Sequence, residues 1–340
     1  MATEWPKQAG VGLTGVRLAV RHAAPEVRNL TSSEDHSEGE RGRMPGDDFT
    51  PDFAREELRA VCEDLGLSSD RAELVRMGSN ALFRLADRPV MARVGRSVAS
   101  SEKETAIASW LASYDFPSVR LAGDGRTHVG PAGMPVTFWE FIDSAEPSPT
   151  AAELGRVLCA LHKLPPPFDL ELPQFHPLAK LDRRIASIRS ISESDRDFLL
   201  LRKEELECDY SHLEFILGEG VIHGDAHRDN LMRDRSSGEV KLIDFEDFSI
   251  GPREWDFCIE AIGYDALRWI TKRDYEDYVR ASGFDALSWS GYKVIRRIRE
   301  LTMTTWIAQQ AGQSQKVDRE IAKRLSDLRN DDTPRDWGVF

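Results

Sequence analysis

The sequence lacks long apolar runs, paired cysteines and an excess of basic residues. Its longest apolar stretches fall far short of the roughly 20 residues that a membrane helix requires, so no membrane partner is expected. The four cysteines lie far apart and in no CxxC pattern, which favours reduced thiols packed as small hydrophobes. Lysine and arginine number 45 against 58 aspartate and glutamate, and the net charge of −13 disfavours nucleic acid as the main partner.

The length and the two ends of the chain indicate its organisation. The 340 residues, 41% of them hydrophobic, can bury a large core in one two-lobed unit or two domains. Residues 1–50 mix Gly, Pro, Ser and charge and are expected to form a disordered tail, within which Met44 is an alternative translation start. No basic region followed by a cleavage site opens the chain, so a cytoplasmic location is expected. Residues 326–340, rich in Asp, Arg and Pro, are expected to be a loose end.

Residues 51–142 have the pattern of a small sheet with two helices. Thr50 can cap a first helix through its side-chain oxygen, and Pro51 suits the first turn of that helix. Apolar alternation and turn residues predict short strands. These strands cover residues 73–77, 81–85, 90–94, 119–121 and 136–142, and a second helix covers residues 101–113.

Residues 143–325 are mainly helical by pattern. Apolar residues at helical spacing predict helices over residues 150–164, 178–191, 194–217, 255–270, 275–281 and 291–310. Strand-like pieces are predicted only at residues 221–222 and 240–245. The fold class is therefore α+β, with a small antiparallel sheet in the first part and a larger helical second part.

The segment from His223 to Asp244 contains the residues that suggest a chemistry. Phosphoryl transfer requires a carboxylate near the attacking hydroxyl, an amide oxygen for Mg²⁺, and a second carboxylate that bridges the metal to the phosphates. Asp225, Asn230 and Asp244 supply these groups, in the order H-x-D-x-x-x-x-N followed by an Asp at the end of an apolar strand. A solvated hairpin is the alternative, since Asp and Asn are common turn residues.

The same segment resembles the aminoglycoside phosphotransferase and choline kinase family. His223-Gly224-Asp225 with Asn230 fits the family's HGD-x-x-x-x-N element, residues 243–246 fit its apolar-Asp-Phe/Trp-Glu segment, and residues 251–256 fit G-P-x-x-x-D. The resemblance extends from about residue 71 to residue 310. It implies a two-lobed protein-kinase-like fold, with a nucleotide-binding N-lobe over residues 51–142 and a C-lobe with the catalytic loop and acceptor pocket over residues 143–325.

The resemblance also implies roles for single residues of the C-lobe. Asp225 would be the catalytic base or hydroxyl orienter, Asn230 and Asp244 the magnesium ligands, and His223 and Asp256 braces of the loop. His162 is interpreted as structural, and a loop-stabilising role is the default for His227 and Asp229. A helix over residues 295–306 is expected to wall the acceptor pocket together with Trp255, Glu260, Tyr264 and Asp265, although the same side chains suit helix packing.

The N-lobe is expected to bind the nucleotide. The hairpin tip Gly78-Ser79-Asn80 would lay backbone N–H groups over the ATP phosphates. Arg93 occupies the phosphate-gripping position where many kinases have Lys, and its expected helix partner is Glu104, with Glu102 as the competing choice. Backbone groups of residues 140–142, from Glu140 to Ile142, would bind adenine, although the aromatic residues of that strand also suit simple packing.

The leading hypothesis is an ATP- and Mg²⁺-dependent phosphotransferase that phosphorylates a hydroxyl of a small molecule, such as an aminoglycoside-like antibiotic, a sugar or an amino alcohol. The alternative is a nucleotide-binding pseudokinase that acts as a scaffold or sensor, prompted by Arg93 and the glycine-poor loop. A protein kinase is disfavoured, because no A-P-E-type activation segment lies between Asp244 and Asp256. The sequence does not separate ATP from GTP or resistance from metabolism, and it sets no oligomeric state.

Overall fold

Two units follow one another along the chain and divide between Ser144 and Ala145, where the sequence places the division after residue 142. The computed structural model describes residues 49–330 and 334–339. The expected tail, apart from its last two residues, and the alternative start at Met44 lie outside the described residues. No helix in this described part of the chain is long and apolar enough to cross a membrane.

In its described part, from residue 49 onward, the first unit is a five-stranded antiparallel sheet with two helices. The strand order is β1-β2-β3-β5-β4. The elements are α1 (Pro51–Asp64), β1 (Glu73–Met77), β2 (Ala81–Leu85), β3 (Val90–Val94), α2 (Val98–Ser113), β4 (His128–Val129) and β5 (Pro135–Glu140). The strand expected over residues 119–121 is reduced to one bridge between Leu121 and Trp139, because the chain turns directly afterwards at Gly123 and Gly125, both with positive φ.

The core of the first unit lies between its sheet and α1. Residues alternate between buried and half-buried along β2 and β3, and Leu58 and Cys62 of α1 pack into the same apolar cluster. Helix α1 begins where the sequence predicts, since the Thr50 side chain accepts a hydrogen bond from the Phe53 N–H at 3.2 Å. This core holds β3, and with it Arg93, in a fixed register with β2 and β5.

The second unit is mainly helical, with two small antiparallel ladders. Its helices are α3 (Ala151–Leu161), α4 (Leu181–Ser187), α5 (Glu193–Ser211), α6 (Glu254–Asp265), α7 (Lys272–Ser282), α8 (Tyr292–Ala308) and α9 (Gln315–Arg329). Its strands are β6 (Glu219–Ile222), β7 (Leu231–Arg233), β8 (Val240–Leu242) and β9 (Ser249–Pro252). The sequence predicts β6 and β8 but misses their partners β7 and β9, which are short.

The two ladders frame one loop. Strand β6 pairs with β9, and β7 pairs with β8 through Leu231 opposite Leu242. The chain leaves β6 after Ile222 and enters β7 at Leu231, so residues 223–230 are anchored at both ends. Short paired strands of this kind fix the ends of a polar loop that carries functional side chains.

Residues 326–330 and 334–339 differ from the loose segment expected over residues 326–340. Helix α9 continues to Arg329, and Arg335 and Trp337 are only 3% and 4% exposed. Arg335 forms an ion pair with the buried Glu300 of α8 at 3.1 Å, and the Trp337 indole donates to Asp327 at 2.7 Å. The prediction was wrong because a polar composition indicates exposure only when its charges have no buried partner.

Candidate active site

His223 and Asp256 hold the first turn of the loop over residues 223–230. His223 is fully buried, its Nε2 lies 3.0 Å from the Ile243 carbonyl, and its Nδ1 accepts from the Asp225 N–H at 3.3 Å. Because a carbonyl can only accept and a backbone N–H can only donate, these partners require the tautomer with hydrogen on Nε2. His223 is therefore oriented by the backbone on both sides, which is the arrangement that a bracing role needs.

Asp256 is a fully buried carboxylate at the start of α6. It accepts from the backbone N–H of His223 at 2.8 Å and of Gly224 at 2.9 Å, and it lies 2.9 Å from His162 Nε2. Burial acts to raise the pKa of Asp256, but the hydrogen bond and charge of His162, together with His223, outweigh it and lower that pKa. The expected bracing contacts of Asp256 are thus present.

Gly224 takes a conformation that other residues avoid. Its φ is +85°, and a Cβ at this position would collide with the backbone carbonyl of Asp247. The Gly224 carbonyl accepts from the Trp255 indole at 2.8 Å and from Arg299 Nη2 at 3.0 Å. Glycine is required here by both its positive φ and the lack of space for a Cβ.

Asp225 has a basic side chain beside each of its carboxylate oxygens. Its Oδ2 lies 3.3 Å from His227 Nε2, and its Oδ1 accepts from Arg299 Nη1 at 3.2 Å. Burial acts to raise the pKa of Asp225, but the hydrogen bond and charge of His227, with the charge of Arg299, hold it well below its usual range. Asp225 is therefore ionised at neutral pH and half-exposed, so it can accept a hydrogen bond from a bound hydroxyl.

The pKa of His227 shifts in the opposite direction to that of Asp225. Burial acts to lower its pKa, but the hydrogen bond and charge of Asp225 outweigh this and raise it above its ordinary value. The structure brings His227 to the Asp225 carboxylate, a contact within the loop that the loop-stabilising role expected for His227 did not specify. Its spacing of two residues from Asp225 was the available signal.

Asn230 is hydrogen-bonded to the backbone of Ile243, and Asp244 is the next residue after Ile243 in the chain. Asn230 is buried at the end of a short 3₁₀ helix (Arg228–Asn230), and its Nδ2 donates to the Asp225 carbonyl at 2.9 Å. Ile243 donates its N–H to the Asn230 carbonyl at 3.0 Å, while its own carbonyl faces His223. Asp244 follows with an exposed side chain and a φ of +66°, a backbone conformation that costs energy and occurs at functional sites.

These two residues fit a magnesium ion by their chemistry. The Asn230 amide nitrogen is used within the loop, which leaves its oxygen as a ligand, and Asp244 offers an exposed carboxylate. Mg²⁺ prefers oxygen ligands and is commonly held by one or two protein side chains plus substrate phosphates. Among the described residues, no group of three or more His, Cys, Asp or Glu could hold a metal ion.

The first unit brings together the residues expected to bind phosphate. Arg93 of β3 forms an ion pair with Glu104 of α2, and the Glu104 side chain is 2% exposed. The competing choice, Glu102, is exposed. With its amide oxygen facing the guanidinium, Asn80 accepts from Arg93 Nη2 at 2.6 Å, and Arg96 Nε donates to the Ser79 carbonyl at 3.0 Å. The hairpin tip at Gly78 is thereby connected to Arg93.

The segment expected to bind adenine ends β5. The Glu140 N–H donates to the Arg120 carbonyl and the Phe141 N–H to the Pro89 carbonyl, each at 2.8 Å. Both groups are therefore used inside the unit. An adenine contact in this segment would depend on the N–H of Ile142 and on backbone carbonyls, and it stays a prediction.

The four residues expected in an acceptor pocket have different surroundings. Trp255 contacts the catalytic loop, and Glu260 lies 3.5 Å from Arg228 of the same loop. Tyr264 instead stacks on Tyr275 of α7 at 5.1 Å, and Asp265 accepts from the Tyr292 hydroxyl of α8 at 3.1 Å. The last two make contacts of the helix-packing kind, which the sequence left open as their alternative role.

Arg299 of α8 is the residue of this region that the sequence reasoning missed. The expected pocket wall over residues 295–306 includes it without singling it out. It reaches both Gly224 and Asp225, which are far away in the sequence. No local pattern signals such a contact, because it depends on how α8 packs in the second unit.

Comparisons with known proteins identify a family for this chain. The model of the phosphotransferase enzyme family (APH) matches residues 71–296, more than half of the chain. No curated protein matches the chain by sequence.

Solved structures share the fold at low sequence identity. An amicoumacin kinase, hAmiN, solved with AMP-PNP, Ca²⁺ and Ami, is 14% identical; the match covers 83% of this chain and 96% of that one, with a TM-score of 0.65. A microcompartment-associated aminopropanol kinase is 22% identical over 82% and 94%, with a TM-score of 0.59. A choline/ethanolamine kinase family protein from Mesorhizobium loti is 18% identical over 84% and 96%, with a TM-score of 0.55. The α+β, protein-kinase-like fold class predicted from the sequence is confirmed.

Proposed function

We propose, because this chain belongs to the phosphotransferase enzyme family as the sequence predicted, that it moves the γ-phosphate of ATP to a hydroxyl of a small molecule in a Mg²⁺-dependent reaction. The observation that carries the proposal is the hydrogen-bonded unit formed by Asp225, Asn230 and Ile243, which is followed directly by Asp244. An amide and two carboxylates are thereby kept close to one loop. Phosphoryl transfer depends mainly on positioning and charge stabilisation, and this set supplies both.

Asp225 is assigned the acceptor hydroxyl. Its carboxylate accepts a hydrogen bond from the hydroxyl and so aims the oxygen lone pair at the phosphorus. Because His227 and Arg299 hold the pKa of Asp225 well below its usual range, it is a weak base and takes the proton only as the new P–O bond forms. A late proton transfer suits the loose transition state of phosphoryl transfer.

Two further residues would hold the metal, and two others support the turn before Asp225. Asn230 and Asp244 would hold Mg²⁺, which when bound supplies positive charge to the triphosphate. His223 and Asp256 keep the turn rigid through backbone hydrogen bonds. Rigid support of this kind is required because small displacements of reacting groups lower the rate strongly.

The first unit is assigned the nucleotide. Arg93, held by Glu104 and Asn80, would place its planar guanidinium on phosphate oxygens, for which its fork of N–H donors is suited. The tip at Gly78 and Ser79 would cover the phosphates with backbone N–H groups. Adenine would be bound by the segment from Glu140 to Ile142.

The acceptor is proposed only as a class. The solved structures above include kinases named for amicoumacin, aminopropanol and choline or ethanolamine, and all three names indicate small molecules. We assign an aminoglycoside-like antibiotic, a sugar or an amino alcohol as the acceptor class.

The test is detection of a phosphorylated product by mass spectrometry. The full chain is incubated with ATP and Mg²⁺ and with a panel of aminoglycosides, choline, ethanolamine, aminopropanol, homoserine and sugars. Asp225→Ala should lower turnover by about 10²- to 10⁴-fold while ATP affinity changes little. Glu239→Ala, which removes an exposed carboxylate between β7 and β8, is the control and should change turnover by less than about threefold.

Two results would contradict the proposal. Unchanged turnover in Asp225→Ala would remove Asp225 from the reaction. A Mg²⁺-dependent thermal shift with ATP but no product across the panel would favour the nucleotide-binding pseudokinase instead.

A further inference from the structure

Arg299 reaches the catalytic loop from the middle of α8. Its Nη1 donates to Asp225 Oδ1 at 3.2 Å and its Nη2 donates to the Gly224 carbonyl at 3.0 Å. The two bonds use separate nitrogens of one planar group, so they fix the guanidinium relative to both the carboxylate and the turn before it. The Arg299 side chain is 14% exposed, which indicates that it is held within the second unit.

The aromatic ring of Trp255 contacts the Arg299 guanidinium. The Arg299 guanidinium carbon lies 4.2 Å from the centre of the Trp255 ring, within the range of a cation–π interaction. Trp255 is itself fixed, because its indole donates to the Gly224 carbonyl at 2.8 Å and its ring packs against Phe175 at 4.6 Å. Arg299 is thus stacked on a residue that contacts the same loop.

The Asp225 carboxylate has room for a further partner. Its Oδ1 accepts from Arg299 and its Oδ2 contacts His227. An ionised carboxylate has about four lone-pair sites, so two sites stay available for a bound hydroxyl. Arg299 and His227 together restrict rotation of the Asp225 carboxylate about its side-chain bonds without occupying all of its lone-pair sites.

We propose that Arg299 is a positioning residue of the phosphotransferase, which holds the Asp225 carboxylate in the orientation that receives the acceptor hydroxyl. This inference rests on the proposed function and adds to it a residue from α8. A lysine cannot replace Arg299 fully, because a single ammonium group lacks the planar fork that reaches both partners and stacks on Trp255. A structural role limited to packing α8 is the competing explanation.

A double-mutant cycle separates these explanations. Turnover is measured for the wild type, Arg299→Met, Asp225→Asn and the double variant, with the acceptor that gives the most product in the panel. Arg299→Met should lower turnover by about 10²-fold, as a misplaced reacting group does, with ATP KM changed less than about threefold. In the Asp225→Asn background the same change should lower turnover less than about threefold, because the residue it acts through is already altered.

Two further variants test whether the effect is specific to the guanidinium group and to position 299. Arg299→Lys should recover part of the lost turnover. Arg297→Met is the matched control on the same helix, since Arg297 contacts Asp209 of α5 at 3.5 Å, and it should change turnover less than about threefold. An equal loss from Arg299→Met in both backgrounds would overturn the inference, and so would an equal loss from Arg297→Met.

A second readout keeps the inference testable if the panel yields no product, a result that would count against the proposed function itself. The Trp255 indole N–H signal of the ¹⁵N-labelled full chain, assigned with Trp255→Phe, reports directly on the ring beneath Arg299. Arg299→Met should shift this signal and speed hydrogen exchange over residues 223–230, whereas Arg297→Met should do neither. An unmoved signal with unchanged exchange in Arg299→Met would show that Arg299 does not hold the loop and would overturn the inference.

Discussion

Glu260 is a buried acid whose ionisation should make the stability of the protein depend on pH. It lies on α6 and is 2% exposed, and its Oε1 is 3.5 Å from Arg228 Nε. No hydrogen-bond partner for its Oε2 lies among the residues that the structure describes. Burial raises the pKa of Glu260 from its ordinary value of 4.5 to about 7, although the charges of Arg228 and His227 act to lower it.

The direction of the pH effect follows from this raised pKa. The folded protein holds the Glu260 proton more tightly than the unfolded chain does, so the stabilisation is complete below about pH 4.5. It is lost as the pH rises towards about 7, where the folded carboxyl ionises. The difference between 4.5 and about 7 corresponds to about 3 kcal/mol of unfolding free energy, at 1.36 kcal/mol for each pH unit.

Glu260→Gln isolates this contribution, because glutamine keeps the shape and cannot ionise. Urea unfolding of the wild type and the variant is compared at pH 5 and pH 8, which span most of the transition. Between pH 5 and pH 8, the unfolding free energy of the wild type should fall by about 2 to 3 kcal/mol more than that of the variant. Equal slopes against urea in the two proteins would show that the same surface is exposed.

Arg228→Met provides an independent check on the same group. Removing the nearest cation should raise the pKa of Glu260 further, because the Arg228 charge acts to lower it. The loss of stability should then extend to higher pH. If the difference between wild type and Glu260→Gln stays within about 0.5 kcal/mol from pH 5 to pH 8, the reasoning from burial is refuted.

Three further substitutions test separate contacts. Gly224→Ala should lower the unfolding free energy by about 2 kcal/mol or more, since it forces alanine into a positive φ and against Asp247; urea unfolding measures it, and an unchanged midpoint would refute it. Glu104→Gln should weaken ATP binding in calorimetry by about tenfold, or about 1.4 kcal/mol, by releasing Arg93, whereas Glu102→Gln should not; equal effects would contradict the assignment. Arg335→Met should cost about 3 kcal/mol by leaving the buried Glu300 short of a partner, while its exposed neighbour Asp336→Asn should cost little; comparable losses would argue against the buried ion pair.

The parts of the site that could be predicted from the sequence are those joined by short stretches of chain. Asp225 and Asn230 lie in one loop between two strands, and Asp244 follows the ladder partner of the second strand. Strand pairing brings such residues together whatever the rest of the fold does. The pairing of Arg93 with Glu104 rather than Glu102 also follows from helical spacing, because residues on the buried face of α2 point at the sheet.

The parts that could not be predicted depend on packing between distant segments. Tyr264 and Asp265 have the composition of a pocket, yet their partners Tyr275 and Tyr292 come from α7 and α8. The end of the chain was expected to be loose because it is polar, and the buried partner that changes this, Glu300, lies on α8. A sequence pattern reports what a residue can do, whereas its partner is decided by the tertiary fold.

Asp225 shows how these two levels combine in one residue. Its identity follows from the loop motif, but its protonation and orientation depend on His227 within the loop and on Arg299 from α8. A carboxylate at the same motif position without these partners would be a stronger base and would rotate more freely. The local sequence therefore places the carboxylate in the loop, whereas His227 within the loop and Arg299 from α8 together determine its pKa and its orientation.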